Sequence, residues 1–220
     1  MEQTILKATD LAKSFNRRSI FSGIDITLST GQSLAITGRN GSGKSTLLKI
    51  AAGVLAPSGG TLEILVGGRA FRPAEAFSLI GFVAPYLEMY DEFTAWENLD
   101  LFRRIRGIGA RDDRLTGLLE RVNLLARKDD PVRTYSSGMK QRLKYAFALL
   151  HDPPVLLVDE PASNLDAEGI AIVYGIIEER KESGIAIIAT NDTGELRLCD
   201  SIIDLDDRRR GSVGGGAIVP

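Results

Sequence analysis

Eight consecutive residues, Gly38-Arg39-Asn40-Gly41-Ser42-Gly43-Lys44-Ser45, combine close-wrapping glycines with a lysine and a hydroxyl. They fit the pattern G-x-x-x-x-G-K-[ST], in which successive backbone N–H groups and the start of the following helix point at phosphate oxygens. Lys44 supplies a point charge for the β- and γ-phosphates, and Ser45, followed by Thr46, offers a hydroxyl to Mg²⁺. Average residue frequencies give roughly one chance match per hundred chains of this length. Further along, Val155-Leu156-Leu157-Val158-Asp159-Glu160-Pro161 ends an apolar run on two acids. An acid at the carboxyl end of a buried strand is where an open parallel sheet places its ligand chemistry. Asp159 can hold Mg²⁺ through water, and Glu160 can polarise an attacking water. Alone, the two acids could be a capping pair. Beside the glycine loop they predict a nucleoside triphosphatase that uses Mg²⁺.

These residues need a scaffold. Ser33 to Thr37 is short, apolar and partly β-branched, and Gly38 ends it, which reads as a buried strand entering a tight turn. Leu47 to Ala52 carries helix formers and meets a stop at Gly53. Val155 to Val158 and Ile185 to Ala189 are two further apolar runs, and Ile170 to Lys181 between them has helical spacing. Uniformly apolar strands alternating with helices predict an α/β fold with a mainly parallel sheet covered on both faces. Leu6 to Phe15 and Ile20 to Leu28, separated by Asn16-Arg17-Arg18, alternate instead and predict antiparallel strands, with Thr61 to Val66 as another. The stretch from about Leu99 to Leu150 is charged, rich in Leu and Arg, and reads as a helical insertion. The expected division is a nucleotide-binding core of residues 1–85 and 151–207, a helical part at 86–150, and a loose tail at 208–220.

Composition narrows the classes. The chain's 220 residues can bury one sizeable core, and 25% charged with 44% apolar residues is a globular balance. Lys+Arg 27 against Asp+Glu 29 gives a net charge of −2, so no nucleic-acid partner is expected. Cys199 is the sole cysteine, which excludes an intrachain disulfide and suits a reducing compartment. The start, Met-Glu-Gln-Thr-Ile-Leu-Lys, lacks the pattern of a signal peptide, and no apolar run nears the ~18 residues of a membrane span. A cytoplasmic globular protein is the expectation.

Tyr135-Ser136-Ser137-Gly138-Met139-Lys140-Gln141-Arg142 precedes a helical run to Leu150, and Ser163-Asn164-Leu165-Asp166 follows the acids. A lone Ser-Ser-Gly before a helix is an N-cap. In this order, over about residues 3 to 206, the motifs resemble ATP-binding-cassette (ABC) proteins, with their Leu-Ser-Gly-Gly-Gln signature and their D-loop. The resemblance implies a P-loop NTPase core with an antiparallel β part and an inserted helical part. It implies ATP as the nucleotide and two ATP-binding subunits, identical or different, facing head to tail and closing each other's sites. Ser136, Ser137 and Gly138 would then meet the γ-phosphate held by the opposite subunit, and Asp166 would lie at the seam. Phe15 falls where the family stacks an aromatic ring on adenine, although a core aromatic is a second reading. The partner implied is a separate transmembrane permease, which would hold the subunit at the inner face of the cell membrane.

Three positions depart from that pattern. Pro85 stands where the family has a Mg²⁺-contacting glutamine, and Asn191 where it has a histidine on the γ-phosphate. Asn191 can hydrogen-bond phosphate but cannot carry an imidazolium charge, so slowed turnover is expected. The sole histidine, His151, reads as a helix-end or turn residue. In the signature, Ser137 and Met139 replace Gly and Gln. These departures leave open a nucleotide-dependent dimerising switch with little hydrolysis. A non-transport ABC protein acting on DNA or ribosomes is a third reading, usually marked by a second cassette or basic extension. Tyr86 to Trp96 concentrates large apolar side chains that either face the membrane partner or pack internally. Arg103, Arg104, Arg106, Arg111 and Arg114 form either a solvated helix face or a lipid-headgroup contact.

Overall fold

The computed structural model describes residues 2–109 and 112–208; Arg111 and the expected tail beyond Arg208 lie outside them. Strands β1 (Thr4–Phe15) and β2 (Arg18–Ser29) pair antiparallel, as their alternation predicts. Their hairpin closes through Asn16 and Arg17, both at positive φ, the mirror-image turn whose twist matches the strands. β3 (Gln32–Thr37) leaves this sheet and runs into the glycine loop and α1 (Lys44–Ala51). β4 (Gly59–Val66) and β5 (Arg69–Phe71) complete an antiparallel sheet in the order β2-β1-β4-β5.

The chain then enters β6 (Ile80–Val83), followed by the helical insertion α2 (Ala95–Ile105), α3 (Asp112–Arg121) and α4 (Ser137–Ala148). Thr94 and Glu97 form a reciprocal capping box that starts α2. β7 (Val155–Asp159), α5 (Ala167–Ser183), β8 (Ile185–Ala189), β9 (Ser201–Asp204) and α6 (Leu205–Arg208) follow. The second sheet is parallel throughout, ordered β6-β7-β8-β3-β9. Its edges, β6 and β9, were not anticipated: each has four residues, too few to show a period. Within β6, a Cβ on Gly81 would fall 2.6 Å from the Ala148 carbonyl, so the strand needs glycine where the end of α4 crosses it.

Two apolar cores explain why the central strands are apolar at every position. Val155 and Leu157 of β7 join the core under α1 and the antiparallel sheet, with Leu47, Leu48 and Ile64. Leu156 and Val158, one residue out of phase, join the core of the helical insertion and α5, with Leu119, Leu143 and Ile177. A strand buried on both faces has no solvent side to mark with polar residues. The phosphate-type loop and the acids are thereby fixed at the carboxyl ends of β3 and β7, parallel strands that flank the fully buried β8.

Candidate active site

The loop after β3 has the conformation its glycines permit. Gly38, Gly41 and Gly43 lie at φ 131°, 78° and 113°, which disfavours any side chain. A Cβ on Gly43 would also meet Ile20 Cγ2 at 2.6 Å. Gly43 is the N-cap of α1 and provides no side-chain cap to the first turn, where Ser45 and Thr46 lie. Lys44 is buried, and its Nζ donates to the Gly38 carbonyl at 2.7 Å and the Arg39 carbonyl at 3.4 Å, so the ammonium braces the loop. Burial lowers its pKa, opposed by the carboxylates of Asp159, Glu160, Asp206 and Asp204.

Asp159 ends β7 and is 3% exposed. Burial pushes its carboxyl upward, and a hydrogen bond with the Ser45 side chain pulls it back. Glu160 is exposed, has a left-handed backbone (φ 53°), and donates its N–H to Ala189 at 2.9 Å. Lys44, Ser45, Asp159 and Glu160 thus meet through the sheet. Glu160 also lines an open cleft of about 260 Å³ with Thr190, Asn191 and Glu195. Asn191 Nδ2 donates to Asn40 Oδ1 at 2.7 Å, which ties the loop after β8 to the glycine loop. Asp206 was not anticipated: its carboxylate accepts the Arg39 N–H at 2.7 Å and pairs with the Arg39 guanidinium at 3.3 Å. No motif marks it, because only the pairing of β9 with β3 brings it there.

Ser136 is the N-cap of α4, and its Oγ accepts the Met139 N–H at 3.2 Å. Ser136 and Ser137 are exposed. A Cβ on Gly138 would fall 3.1 Å from the Asn164 carbonyl, so the D-loop packs against the first turn of α4. Asp166 caps α5 by accepting the Gly169 N–H at 2.9 Å. Phe15 is 46% exposed with the Lys13 ammonium over its ring, so it is not the core aromatic that the sequence allowed. Pro85 is exposed, and its carbonyl accepts from the buried Lys144 at 2.8 Å. His151 lies in the turn after α4, as expected, with Nε2 at 3.0 Å from the Ile80 carbonyl.

The aromatic stretch divides. Met89 and Trp96 pack against the helical core, whereas Tyr86, Tyr90 and Phe93 are 45%, 54% and 40% exposed. The described arginines are mostly spent within the fold: Arg103, Arg106 and Arg114 donate to the carbonyls of Ile108, Phe77 and Leu150.

A family model described as "ABC transporter" matches residues 21–163. The chain is 33% identical over 213 residues to Nod factor export ATP-binding protein I of Ralstonia nicotianae, covering 94% of this chain and 65% of that one. It is 35% identical over 220 residues to the lipoprotein-releasing system ATP-binding protein LolD 1 of Caulobacter vibrioides, covering 93% and 94%. A solved structure of an ATP binding subunit of an ABC transporter matches with a TM-score of 0.80 at 26% identity, over 96% of this chain and 95% of that one. The chain therefore spans about two thirds of the Ralstonia relative and nearly all of the other two. With a glycine loop, acid strand, signature helix and D-loop in one ordered sequence on one fold, this chain belongs to the ABC transporter family.

Proposed function

We propose that this chain binds and hydrolyses ATP as one of two facing cassettes, and that closing and opening of the pair drive a separate membrane-spanning permease. The observation that carries the reading is the meeting of Lys44, Ser45, Asp159 and Glu160 at one end of the parallel sheet. The glycine loop and Lys44 cradle the phosphates, with Thr46 beside them on α1. Phe15 presents an exposed ring for the base. Glu160 takes the proton of the attacking water as the new oxygen–phosphorus bond forms and the bond to the β-phosphate breaks. Among the described residues no group of three or more His, Cys, Asp or Glu could hold a metal alone. Ser45 and Asp159 instead suit a Mg²⁺ that completes its oxygen shell from phosphate and water. That ion would neutralise charge on the β- and γ-phosphates.

Ser136, Ser137 and Gly138 close the opposite cassette's site, and Asp166 borders the seam. The exposed Tyr86, Tyr90 and Phe93 face the permease, which holds the chain at the inner face of the membrane. Among the described residues no helix is long and apolar enough to cross a membrane, so the span must come from elsewhere. The test is the solution mass of Glu160→Gln with and without Mg·ATP. A nucleotide-dependent shift to dimer, with phosphate release lost, supports the reading. A variant that binds ATP but stays monomeric overturns self-pairing.

A second reading, a dimerising switch with little hydrolysis, is favoured by Asn191, whose amide is already engaged by Asn40. Wild-type turnover indistinguishable from Lys44→Ala, with the permease present, would establish it.

A further inference from the structure

Glu195 is a buried carboxylate that no step above uses. It is 2% exposed and lies in the short helical turn that follows β8. Its Oε1 accepts the Ala162 N–H at 3.2 Å and the Tyr174 hydroxyl at 3.4 Å, and the Thr190 side chain is a third partner. Ala162 stands two residues after Glu160, whose φ of 53° is a conformation that a β-carbon disfavours. Such a backbone persists only where its surroundings hold it in place.

Beside the turn bond from the Ser163 N–H to the Glu160 carbonyl at 3.2 Å, three hydrogen bonds do so here. The Glu160 N–H donates to the Ala189 carbonyl at 2.9 Å. The next residue, Pro161, is buried, and its carbonyl accepts the hydroxyl of Tyr145 at 3.2 Å. The Ala162 N–H then reaches Glu195. The first bond continues the β-sheet. The other two come from side chains brought in by α4 and by the segment after Asn191. Tyr145 is fully buried, so its hydroxyl at this carbonyl is a fixed feature of the interior. Burying a carboxylate is unfavourable unless its oxygens are paired, and an apolar residue would fill the same space without that penalty. The retained acceptor therefore needs a reason, and the reason at hand is the backbone it grips.

We propose that Glu195, together with Tyr145, is a positioning residue: the two side chains clamp the backbone on the far side of Glu160 and so aim the Glu160 carboxylate. This rests on the reading of Glu160 as general base. It also joins the turn to two elements with other duties, since Tyr145 rides on the helix that Ser136 starts and Glu195 on the segment that Asn191 starts. Movement of either would re-aim the acid.

The experiment compares Glu195→Ala and Glu195→Gln in the full chain, by steady-state phosphate release and by hydrogen exchange of the Glu160 and Ala162 amides, which flank Pro161. The alanine variant loses the acceptor. The glutamine variant keeps an oxygen for the Ala162 N–H, while the Thr190 and Tyr174 hydroxyls can rotate toward its amide. Expected for Glu195→Ala is a kcat ~10- to 100-fold lower with KM for ATP within about twofold, as for a misplaced catalytic group, together with faster exchange at Ala162. Glu195→Gln should restore both to within about threefold of wild type, since it restores the same geometry. Unchanged exchange at Ala162, unchanged kcat, or a glutamine variant as impaired as the alanine one overturns the proposal. Should Glu195→Ala fail to fold, Tyr145→Phe removes a single hydroxyl and carries the test: kcat falls several-fold at constant KM, and an unchanged kcat overturns the clamp. Glu160→Gln separates the two ideas. If it still hydrolyses ATP at the wild-type rate, the general-base reading falls; if it is inactive while Glu195→Ala is unaffected, only the clamp falls.

Discussion

Helices α1 and α4 both begin at candidate-site loops, and their first turns are finished in opposite ways. A helix start leaves N–H groups without partners in the helix. On α1 the capping position is Gly43, in left-handed conformation, with no side chain to satisfy them. On α4 it is Ser136, extended, whose Oγ accepts the Met139 N–H. The first arrangement gives its donors no side-chain cap. The second uses the serine oxygen as an acceptor toward its own helix, which fixes the side chain yet leaves the hydroxyl proton to donate outward. In the proposed function, a single hydroxyl would therefore cap α4 and reach a phosphate on the facing subunit, whereas the first turn of α1 would meet the phosphate of its own site.

Substitutions can break or sharpen that contrast. The largest effect is expected from Lys44→Ala, which removes the buried side-chain cation of the glycine loop: turnover by phosphate release should fall ~100-fold or more, the scale for losing a preorganised donor. Retained turnover would show that the α1 side does not hold phosphate. Ser136→Asp should come next, since the carboxylate still caps α4 but repels phosphate. Light scattering should find the ATP-driven dimer lost, while thermal unfolding stays at or above the wild-type midpoint. Ser136→Ala should weaken both, with ~1 kcal/mol lost in denaturant titration from the missing cap. If Asp and Ala behave alike in stability, the cap is not what orients the serine. Asn191→His should raise kcat a few-fold by introducing a cationic contact near the glycine loop, well below the ~10²- to 10⁴-fold of a full acid–base group; an unchanged rate would remove Asn191 from the site.

The smallest effect concerns the far end of α4. Burial pushes the His151 pKa down from 6.5 to about 4. The folded chain therefore keeps this imidazole neutral where the unfolded chain protonates it. Its contribution to stability is intact above pH 6.5 and is lost as pH falls toward about 4. Denaturant titrations across that window should show a decline that His151→Gln flattens.

Much of this arrangement could be read from residue order. β7 and β8 were legible because strands buried on both faces are apolar along most of their length, and β3 because its Leu34-Ala35-Ile36 run leads to Gly38. The glycine loop was legible because its φ values and its crowding at Gly43 admit few other residues. β5, β6 and β9 were not, being too short to carry a period. Glu195, Asp206 and Lys144 escaped for another reason. Each reaches its site by contact with a loop remote in sequence (at Ala162, Arg39 and Pro85), and no local pattern encodes such a meeting. Phe15 could be placed on a strand but not assigned a surface until its exposure was seen.

The position of β3 bears on how the protein is made. Its neighbours are β8 and β9, residues 185–189 and 201–204, while its own residues are 32–37. During synthesis, the hairpin of β1 and β2 can form at once from local contacts. β3 must wait with both edges bare until the last strands leave the ribosome. An exposed apolar edge of this kind invites mispairing and chaperone capture. The glycine loop is fixed only once that late pairing is made, so affinity for nucleotide would report that translation has passed β9.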